Sequence, residues 1–109
     1  MRKLRYKFQI DAKTLLQNPF KNLTISDWIR VGYRFFEEVI EAVGIQEGSN
    51  AYNFIMYKDD ITDEDILKCV DIKEDTLEFD GADDDKIGYS VDVLIDETKI
   101  FKLCDEHHI

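Results

Sequence analysis

The sequence predicts an α+β fold, in which one antiparallel sheet of about four to five strands packs on one long central helix over residues 24–43. Two stretches, residues 4–10 and residues 87–96, alternate apolar and polar side chains, which is typical of half-buried strands. Residues 27–43 instead place apolar side chains at helical spacing. The predicted element order is β-α-α-β-α-β-β-β, within one compact domain of 109 residues.

The first strand has an apolar face and is followed by a short helical turn. Its apolar side chains are Leu4, Tyr6, Phe8 and Ile10. Asp11 is the expected cap of a helical turn that runs through Leu16. The turn is expected to end at Asn18-Pro19, because the residue before a proline is displaced from the α region.

The long helix has recognisable ends and a narrow polar stripe. Thr24 or Ser26 is the expected N-cap, and Gly44 follows the last helical residue, about Val43. The charged side chains between these ends fall within an arc of about 100° on a helical projection. They are Asp27, Arg30, Arg34, Glu37, Glu38 and Glu41. A polar stripe this narrow predicts a helix that is buried on most of its circumference.

The remaining predicted elements are shorter. They are a strand over residues 51–58, a helix that begins at Thr62 or Asp63, and strands over residues 76–79, 87–96 and 99–105. Alternation and apolar runs predict the strands, and acidic residues in the first turn of the helix favour its dipole. The last three strands are expected to form an antiparallel meander, with a tight turn at Glu97-Thr98.

The net charge of −10 is unevenly distributed along the chain. Residues 1–36 hold eight Lys or Arg against two acidic residues, a balance of +6, whereas residues 37–109 have a balance of −16. Proteins that bind phosphate backbones are usually basic, so direct nucleic-acid binding is disfavoured. An acidic surface instead favours solubility or attraction to a basic partner surface.

The sequence carries the features expected of a cytoplasmic protein. No apolar run approaches the roughly 18 residues that span a bilayer, so no membrane association is expected. The first 20 residues lack the apolar core of a signal peptide. Cys69 and Cys104 are expected to be buried, reduced thiols rather than a disulfide. We therefore expect the protein in the cytoplasm, or in the host cytoplasm if a phage encodes it.

The densest acidic stretch, EFDGADDDKIGY at residues 78–89, is the first candidate for a site. It does not match an EF-hand calcium loop: counted from Asp80, the third residue is Ala82 and the twelfth is Val91, where the loop needs oxygen ligands. Asp80-Gly81 is a hairpin-turn dipeptide, so the stretch is expected to be a polar hairpin turn. The alternative is a looser divalent-ion site among Asp80, Asp83, Asp84 and Asp85.

The carboxy-terminal residues are the second candidate. Cys104, His107 and His108 have a spacing that zinc accepts, but no second pair of ligands accompanies them, so an ordinary polar terminus is favoured. Both histidines of the chain lie here, so no base can be assigned to any serine nucleophile. We therefore predict no metal, no cofactor and no enzymatic activity.

Two segments, EEVIEAVGIQEGSNAYNFIM and LEFDGADDDKIGYSVDV, resemble the plasmid open-reading-frame-three-like family. Members of that family have an N-terminal strand, a helix that ends in glycine, a strand with an aromatic pair, and an acidic turn before another strand. The matching residues are Gly44, Tyr52 with Phe54, and Asp80 with Gly81. This sequence lacks the family's tryptophan-arginine segment after the first strand and its histidines before the aromatic strand. The resemblance implies the strand–helix–strand order and no particular activity.

An acidic chain without a catalytic constellation favours a non-enzymatic binding protein. We expect its acidic face to occupy a basic, nucleic-acid-contacting surface of a partner protein, in the manner of an inhibitor or immunity-type protein from a phage or another mobile element. The candidate partner-binding residues are Asp59, Asp60, Asp80, Asp83, Asp84 and Asp85. The alternative is a structural or accessory module that forms homo-oligomers, in which the acidic residues serve solubility only.

Overall fold

The computed structural model describes residues 1–17, 24, 27–28, 34–58 and 60–107. Its elements in chain order are strand β1 (Arg2–Asp11), helix α1 (Ala12–Gln17), helix α2 (Arg34–Ala42), helix α3 (Asn50–Tyr57), helix α4 (Asp63–Leu67), strand β2 (Val70–Ala82), strand β3 (Lys86–Ile95) and helix α5 (Glu97–Glu106). The predicted α+β class with an antiparallel sheet is confirmed. The order of these elements is β-α-α-α-α-β-β-α, which differs from the predicted order at the fourth and eighth elements.

The sheet of the described residues has three strands in the order β1-β3-β2, and both pairings are antiparallel. β3 is therefore the central strand. It pairs with β1 along its whole length, from Arg2 opposite Ile95 to Asp11 opposite Lys86. The two alternating stretches of the sequence are thus neighbours in one sheet.

The hydrophobic core lies on one face of this sheet. Val91, Val93 and Ile95 of β3 point into it and are completely buried. Phe35 of α2 packs edge-on against Tyr6 of β1, with ring centroids 5.1 Å apart. Helices α3, α4 and α5 contribute further buried side chains to the same cluster. The opposite face of the sheet is left for polar side chains.

Residues 51–58 are predicted as the second strand, but residues 51–57 lie in helix α3 and Lys58 is its C-cap. The Ser49 hydroxyl caps this helix by accepting a hydrogen bond from the Tyr52 N–H at 3.1 Å. Tyr52 and Ile55 are buried three residues apart, which places them on one face of a helix and on opposite faces of a strand. The cap and this spacing outweigh the strand preference of aromatic and β-branched residues. The described residues consequently form three strands rather than the predicted four to five.

The last predicted strand, residues 99–105, is part of helix α5. Asp96 is the N-cap of this helix, so Glu97-Thr98 begins its first turn and is not a tight turn between strands. The buried side chains of α5 lie one helical turn apart. The predicted meander therefore loses its third strand, and β1 takes the place beside β3.

The predicted long helix is described in two parts. The Thr24 hydroxyl accepts the Asp27 N–H at 3.2 Å, and the Thr24 N–H donates to the Asp27 carboxylate at 3.0 Å, so Thr24 is confirmed as a capping residue. The alternative cap, Ser26, lies outside the described residues. Helix α2 (Arg34–Ala42) is buried on its apolar face as predicted. Residues 29–33 also lie outside the described residues, so a single helix over the whole span stays a prediction.

Two shorter helices agree with the sequence patterns. Helix α1 follows Asp11 directly, while its predicted stop at Asn18-Pro19 lies outside the described residues. Thr62 caps α4 through a reciprocal pair of bonds: its hydroxyl accepts the Asp65 N–H at 3.2 Å, and its N–H donates to the Asp65 carboxylate at 2.9 Å. Of the two predicted caps for this helix, Thr62 is the correct one.

The cysteines and the lengths of the helices bear on two predictions made from composition. Cys69 and Cys104 are free and buried, as predicted. Within the part of the chain that the structure describes, no helix is both long enough and apolar enough to cross a bilayer.

Candidate functional site

The face of the sheet opposite the core is covered by charged side chains. Lys3, Arg5 and Lys7 alternate along β1 with the residues that enter the core. They meet acidic side chains of the other two strands: Lys3 Nζ lies 3.2 Å from Asp92 Oδ2, and Lys7 Nζ lies 3.9 Å from Asp80 Oδ2. The basic amino-terminal strand is therefore adjacent to part of the acidic sequence.

Arg5 is at the centre of this face and connects all three strands. Its Nη1 donates to Asp92 Oδ1 at 3.0 Å and to the Thr76 carbonyl at 3.2 Å. Its Nη2 donates to Ser90 Oγ at 2.9 Å and lies 3.2 Å from Glu78 Oε2. One planar guanidinium thus holds β2 and β3 in a fixed arrangement beside β1.

Asp92 lies between two cations. Burial of its carboxylate acts to raise the pKa, but hydrogen bonds from Arg5 and Lys3 outweigh burial and hold the pKa below its ordinary value. The side chain is only 17% exposed, which limits screening by water. Asp92 is consequently an ionised structural partner rather than a proton donor near neutral pH.

A bulge in β2 shapes this face. Lys73 is opposite Asp92 and the next paired residue, Glu78, is opposite Ser90, so extra residues of β2 are looped out between them. Thr76 in the bulge replaces a missing ladder bond, because its hydroxyl accepts the Asp92 N–H at 2.8 Å and donates to the Lys73 carbonyl at 2.6 Å. The backbone of β3 thus stays hydrogen-bonded where regular pairing is interrupted.

Residues 78–86 form the distal end of the β2–β3 hairpin, which we call the acidic hairpin. Its turn is closed by the Asp83 N–H, which donates to the Lys86 carbonyl at 2.9 Å. Asp80-Gly81, the predicted turn dipeptide, lies within β2 instead. The predicted hairpin is confirmed, but its turn is at the three consecutive aspartates.

Two glycines allow the acidic hairpin to fold closely over β3. Gly81 has a φ of +92°, a conformation that side chains disfavour. Gly88 lies against the neighbouring strand: a Cβ there would be 2.8 Å from the Asp80 carbonyl oxygen. The turn is also tied to α1, where the Ala12 N–H donates to the Asp85 carbonyl at 2.8 Å. The acidic hairpin is therefore held at both its base and its turn.

The acidic hairpin brings together four of the predicted partner-binding residues, Asp80, Asp83, Asp84 and Asp85. The last three, which we call the tip, are exposed and form no ion pair with another described residue. Asp80 is partly compensated by Lys7. Asp60 is exposed but precedes α4 and is not part of the hairpin. Asp59 lies outside the described residues.

An aromatic side chain, Phe79, is exposed within the acidic hairpin. It is 66% exposed, and its ring packs edge-on against Tyr89 with centroids 6.4 Å apart. Tyr89 in turn stacks on Phe8, with centroids 5.9 Å apart, so a row of rings runs from the core to the edge strand. An exposed aromatic ring is typical of a protein interface.

Sequence patterns identify neither Arg5 nor Phe79 as part of the site. Arg5 acts through the register between strands that are distant in sequence, which alternation alone does not determine. Phe79 could have been found, because Leu77 and Phe79 alternate with Glu78 at the start of the acidic stretch.

The metal sites considered from sequence are not assembled by the described residues, which contain no group of three or more His, Cys, Asp or Glu side chains placed to hold an ion. His107 packs on the ring of Phe54, with centroids 5.9 Å apart. Cys104 is buried on α5, and His108 lies outside the described residues.

Glu38 of α2 is a second titratable group with an unusual environment. Its Oε2 atom is buried, accepts no hydrogen bond from a described residue, and lies 3.8 Å from Arg34 Nε. Burial raises the pKa of this carboxyl, Arg34 lowers it to a smaller extent, and the neighbouring Glu41 and Glu37 raise it again. Ionisation of Glu38 is therefore less favourable in the folded protein than in the unfolded chain.

No protein-family profile, no curated protein and no solved structure matches this chain. The resemblance to the plasmid open-reading-frame-three-like family stays a prediction. One of its features differs in the fold, because Tyr52 and Phe54, expected on a strand, lie on helix α3. Function is therefore inferred from the chemistry of the acidic hairpin.

Proposed function

We propose that this protein is a small, acidic, non-enzymatic binding protein whose acidic hairpin occupies a basic, nucleic-acid-contacting surface of a partner protein. The observation that carries the proposal is the tip, where Asp83, Asp84 and Asp85 are exposed and have no ion-pair partner among the described residues. Phe79 is exposed in the same hairpin. Carboxylates steer a basic partner into contact, and an aromatic anchor supplies binding energy once water is excluded.

The internal ion pairs neutralise only part of the acidic charge of the sheet. Cations of β1 compensate Glu78, Asp80 and Asp92 within the chain. The exposed Glu74 and Asp75 of the bulge form no ion pair with another described residue. Together with the tip, they leave one edge of the sheet available to an external cationic surface.

The spacing of carboxylates on this edge supports mimicry of nucleic acid. Residues i and i+2 of a strand lie about 6.7 Å apart, a separation comparable to that of successive phosphates along a nucleic-acid strand. Glu78 and Asp80 stand in this relation on β2, and although Arg5 and Lys7 contact them, their side chains stay 75% and 45% exposed. An inhibitor or immunity-type protein from a phage or another mobile element, acting in the host cytoplasm, fits this chemistry.

Capture of the partner tests the proposal. The full chain is immobilised through a tag, and host lysate is passed over it at about 50 mM and about 500 mM salt. We expect a nucleic-acid-binding protein to be retained at low salt, released at high salt, and displaced by added DNA or RNA. Retention that is insensitive to both salt and nucleic acid, or no retention of such a protein, would contradict the proposal.

Matched triple variants locate the binding surface. Asp83→Asn/Asp84→Asn/Asp85→Asn removes the charges of the tip, and Glu47→Gln/Asp63→Asn/Asp105→Asn removes three exposed charges elsewhere. Both variants change the net charge equally, so general electrostatics affects them alike. We expect retention to be lost in the first and kept in the second. An equal loss in both would show that the tip is not the contact.

The alternative function is a structural or accessory module that forms homo-oligomers. Both β1 and β2 are edge strands of the described sheet, so a second copy has two places to pair. A contact between the basic β1 of one copy and the acidic strands of another is disfavoured, because Arg5 and Lys7 already pair with acids of their own chain. Light scattering decides: a salt-sensitive dimer supports this alternative, and a monomer at low and high salt supports the binding protein.

A further inference from the structure

A cleft of about 340 Å³ lies between the end of α4 and helix α5. Lys68, Lys99 and Lys102 line it, together with Cys69 and Leu103. The volume suits a small molecule. We call this the lysine cleft. It adjoins the start of β2, the end of that strand remote from the acidic hairpin.

The two walls of the lysine cleft are fixed relative to each other. The Asp96 N–H donates to the Cys69 carbonyl at 2.8 Å, which joins the N-cap of α5 to the segment after α4. Lys99 and Lys102 are three residues apart on α5 and therefore lie on one face. Lys68 is the C-cap of α4 and lines the cleft from the other wall. Lysine side chains from both walls thus line one small space.

None of these three lysines forms an ion pair with another described residue. The cations of β1 differ, because Arg2, Lys3, Arg5 and Lys7 each pair with an acid. Like charges around one cleft repel one another. A bound multivalent anion removes this repulsion.

Two acidic residues, Asp65 and Glu106, also line the lysine cleft. The Asp65 carboxylate accepts the Thr62 N–H at 2.9 Å, and hydrogen bonding by the Thr62 backbone and side chain lowers its pKa. It is therefore directed to the start of its own helix. The three lysines outnumber the two acids, so the lining keeps a positive balance.

The remaining lining is apolar. Cys69 is 4% exposed, and burial raises the pKa of its thiol, so it presents a neutral surface rather than a thiolate. Leu103 is half-buried beside it. A ligand with a carbon portion next to its anionic group matches this combination of surfaces.

We propose that the lysine cleft binds a compact multivalent oxyanion of the phosphate class, either a phosphate monoester or a diphosphate, through Lys68, Lys99 and Lys102. Lysine ammonium groups bind phosphate as point charges. The net charge of −10 repels anions from the molecule as a whole, so binding here is a property of the local cluster. The site is separate from the acidic hairpin, and its occupancy does not depend on the proposed partner.

Calorimetric titration of the full chain tests this site. Inorganic pyrophosphate is the probe, inorganic phosphate is the less charged comparison, and sodium chloride at matched ionic strength is the blank. We expect saturable binding of pyrophosphate, about tenfold tighter than that of phosphate, with a rise in Tm. No saturable heat up to about 10 mM pyrophosphate, or an equal effect of chloride, would overturn the proposal.

A pair of double variants assigns the residues. Lys99→Ala/Lys102→Ala removes two cations of the cleft, and Lys13→Ala/Lys58→Ala removes two exposed lysines elsewhere. We expect pyrophosphate affinity to fall about tenfold or more in the first and to stay unchanged in the second. Equal affinities in the two variants would overturn the assignment. Lys68→Gln, which keeps α5 intact, provides the same test from the other wall and is expected to weaken binding.

Discussion

Arg5 and Asp92 form an ion pair across β1 and β3, with 3.0 Å between Nη1 and Oδ1. Their side chains are 33% and 17% exposed, so water screens the pair only in part. The pair joins the basic amino-terminal strand to the acidic later sequence. Part of the charge asymmetry of the chain is therefore cancelled inside one sheet.

The Arg5–Asp92 pair predicts that the folded protein loses stability in acid. Burial acts to raise the pKa of Asp92, yet hydrogen bonds from Arg5 and Lys3 hold it below its ordinary value. Such a group contributes stability that is present above the unfolded pKa of about 3.9, and this contribution is lost as pH falls through the lower folded value. Urea unfolding should show wild type more stable than Asp92→Asn near neutral pH.

The difference between wild type and Asp92→Asn should shrink as pH falls below about 3.9, where the unfolded state begins to bind the proton. Asp105→Asn, at an exposed position, serves as the control and should show little difference at neutral or acidic pH. A stability difference for Asp92→Asn that does not change with pH would contradict the assigned ion pair.

The raised pKa of Glu38 predicts that the stability of the protein depends on pH in the opposite direction. Burial raises the pKa of its carboxyl and Arg34 offsets this only in part, so the wild-type protein loses stability as pH rises from about 4.3 through the folded value. Glu38→Gln should therefore have a higher Tm than wild type near neutral pH and an equal Tm at about pH 3. Glu41→Gln, exposed on the same helix, should change Tm less. A lower Tm for Glu38→Gln at neutral pH would mean that the contact with Arg34 outweighs burial.

Gly88→Ala tests the close contact between β2 and β3. The added Cβ would lie 2.8 Å from the Asp80 carbonyl oxygen and 3.2 Å from that of Gly81, and backbone atoms cannot rotate away. We expect the free energy of unfolding to fall by about 1–3 kcal/mol, measured by chemical denaturation. Asp84→Ala, exposed in the same hairpin, should stay within about 0.5 kcal/mol of wild type. Equal stabilities of the two variants would show that the hairpin accommodates the side chain.

Phe79→Ala separates binding from stability. The side chain is 66% exposed, so its removal should change the free energy of unfolding by less than about 1 kcal/mol. Retention of the partner in the capture experiment should nevertheless fall by about tenfold or more, because exposed aromatic anchors contribute strongly to interfaces. Tyr57→Ala is the control, since Tyr57 is an aromatic residue with 69% exposure outside the hairpin. Unchanged retention for Phe79→Ala would exclude the ring as an anchor.

The two long strands could be predicted because each has one buried face. In a pleated strand, one buried face makes apolar and polar residues alternate. Residues 51–58 and 99–105 could not be assigned from composition, since aromatic and apolar residues fit a strand and a buried helix equally well. The N-caps Ser49 and Asp96 mark the starts of these helices. Serine and aspartate also occur in turns, so they indicate a helix only when the buried side chains that follow have helical spacing.

The acidic hairpin was predictable as a hairpin, because turn residues separate two apolar runs there. The ion pairs of the hairpin could not be predicted from the sequence. Arg5 contacts both Glu78 and Asp92 because a bulge shifts the register of β2. The lysine cleft is invisible in sequence for a similar reason: Lys68 and Lys99 come together through the docking of two separate helices.

The central position of β3 has a consequence for synthesis of the chain. β1 is translated first, but its hydrogen-bonding partner is residues 86–95, and Arg2 pairs with Ile95. Closing such a long loop costs entropy before any contact is gained, which slows folding. Until residues 86–95 have been made, the apolar face of β1 has no native strand beside it. The sheet therefore assembles only after β3 has been synthesised, and not progressively from β1.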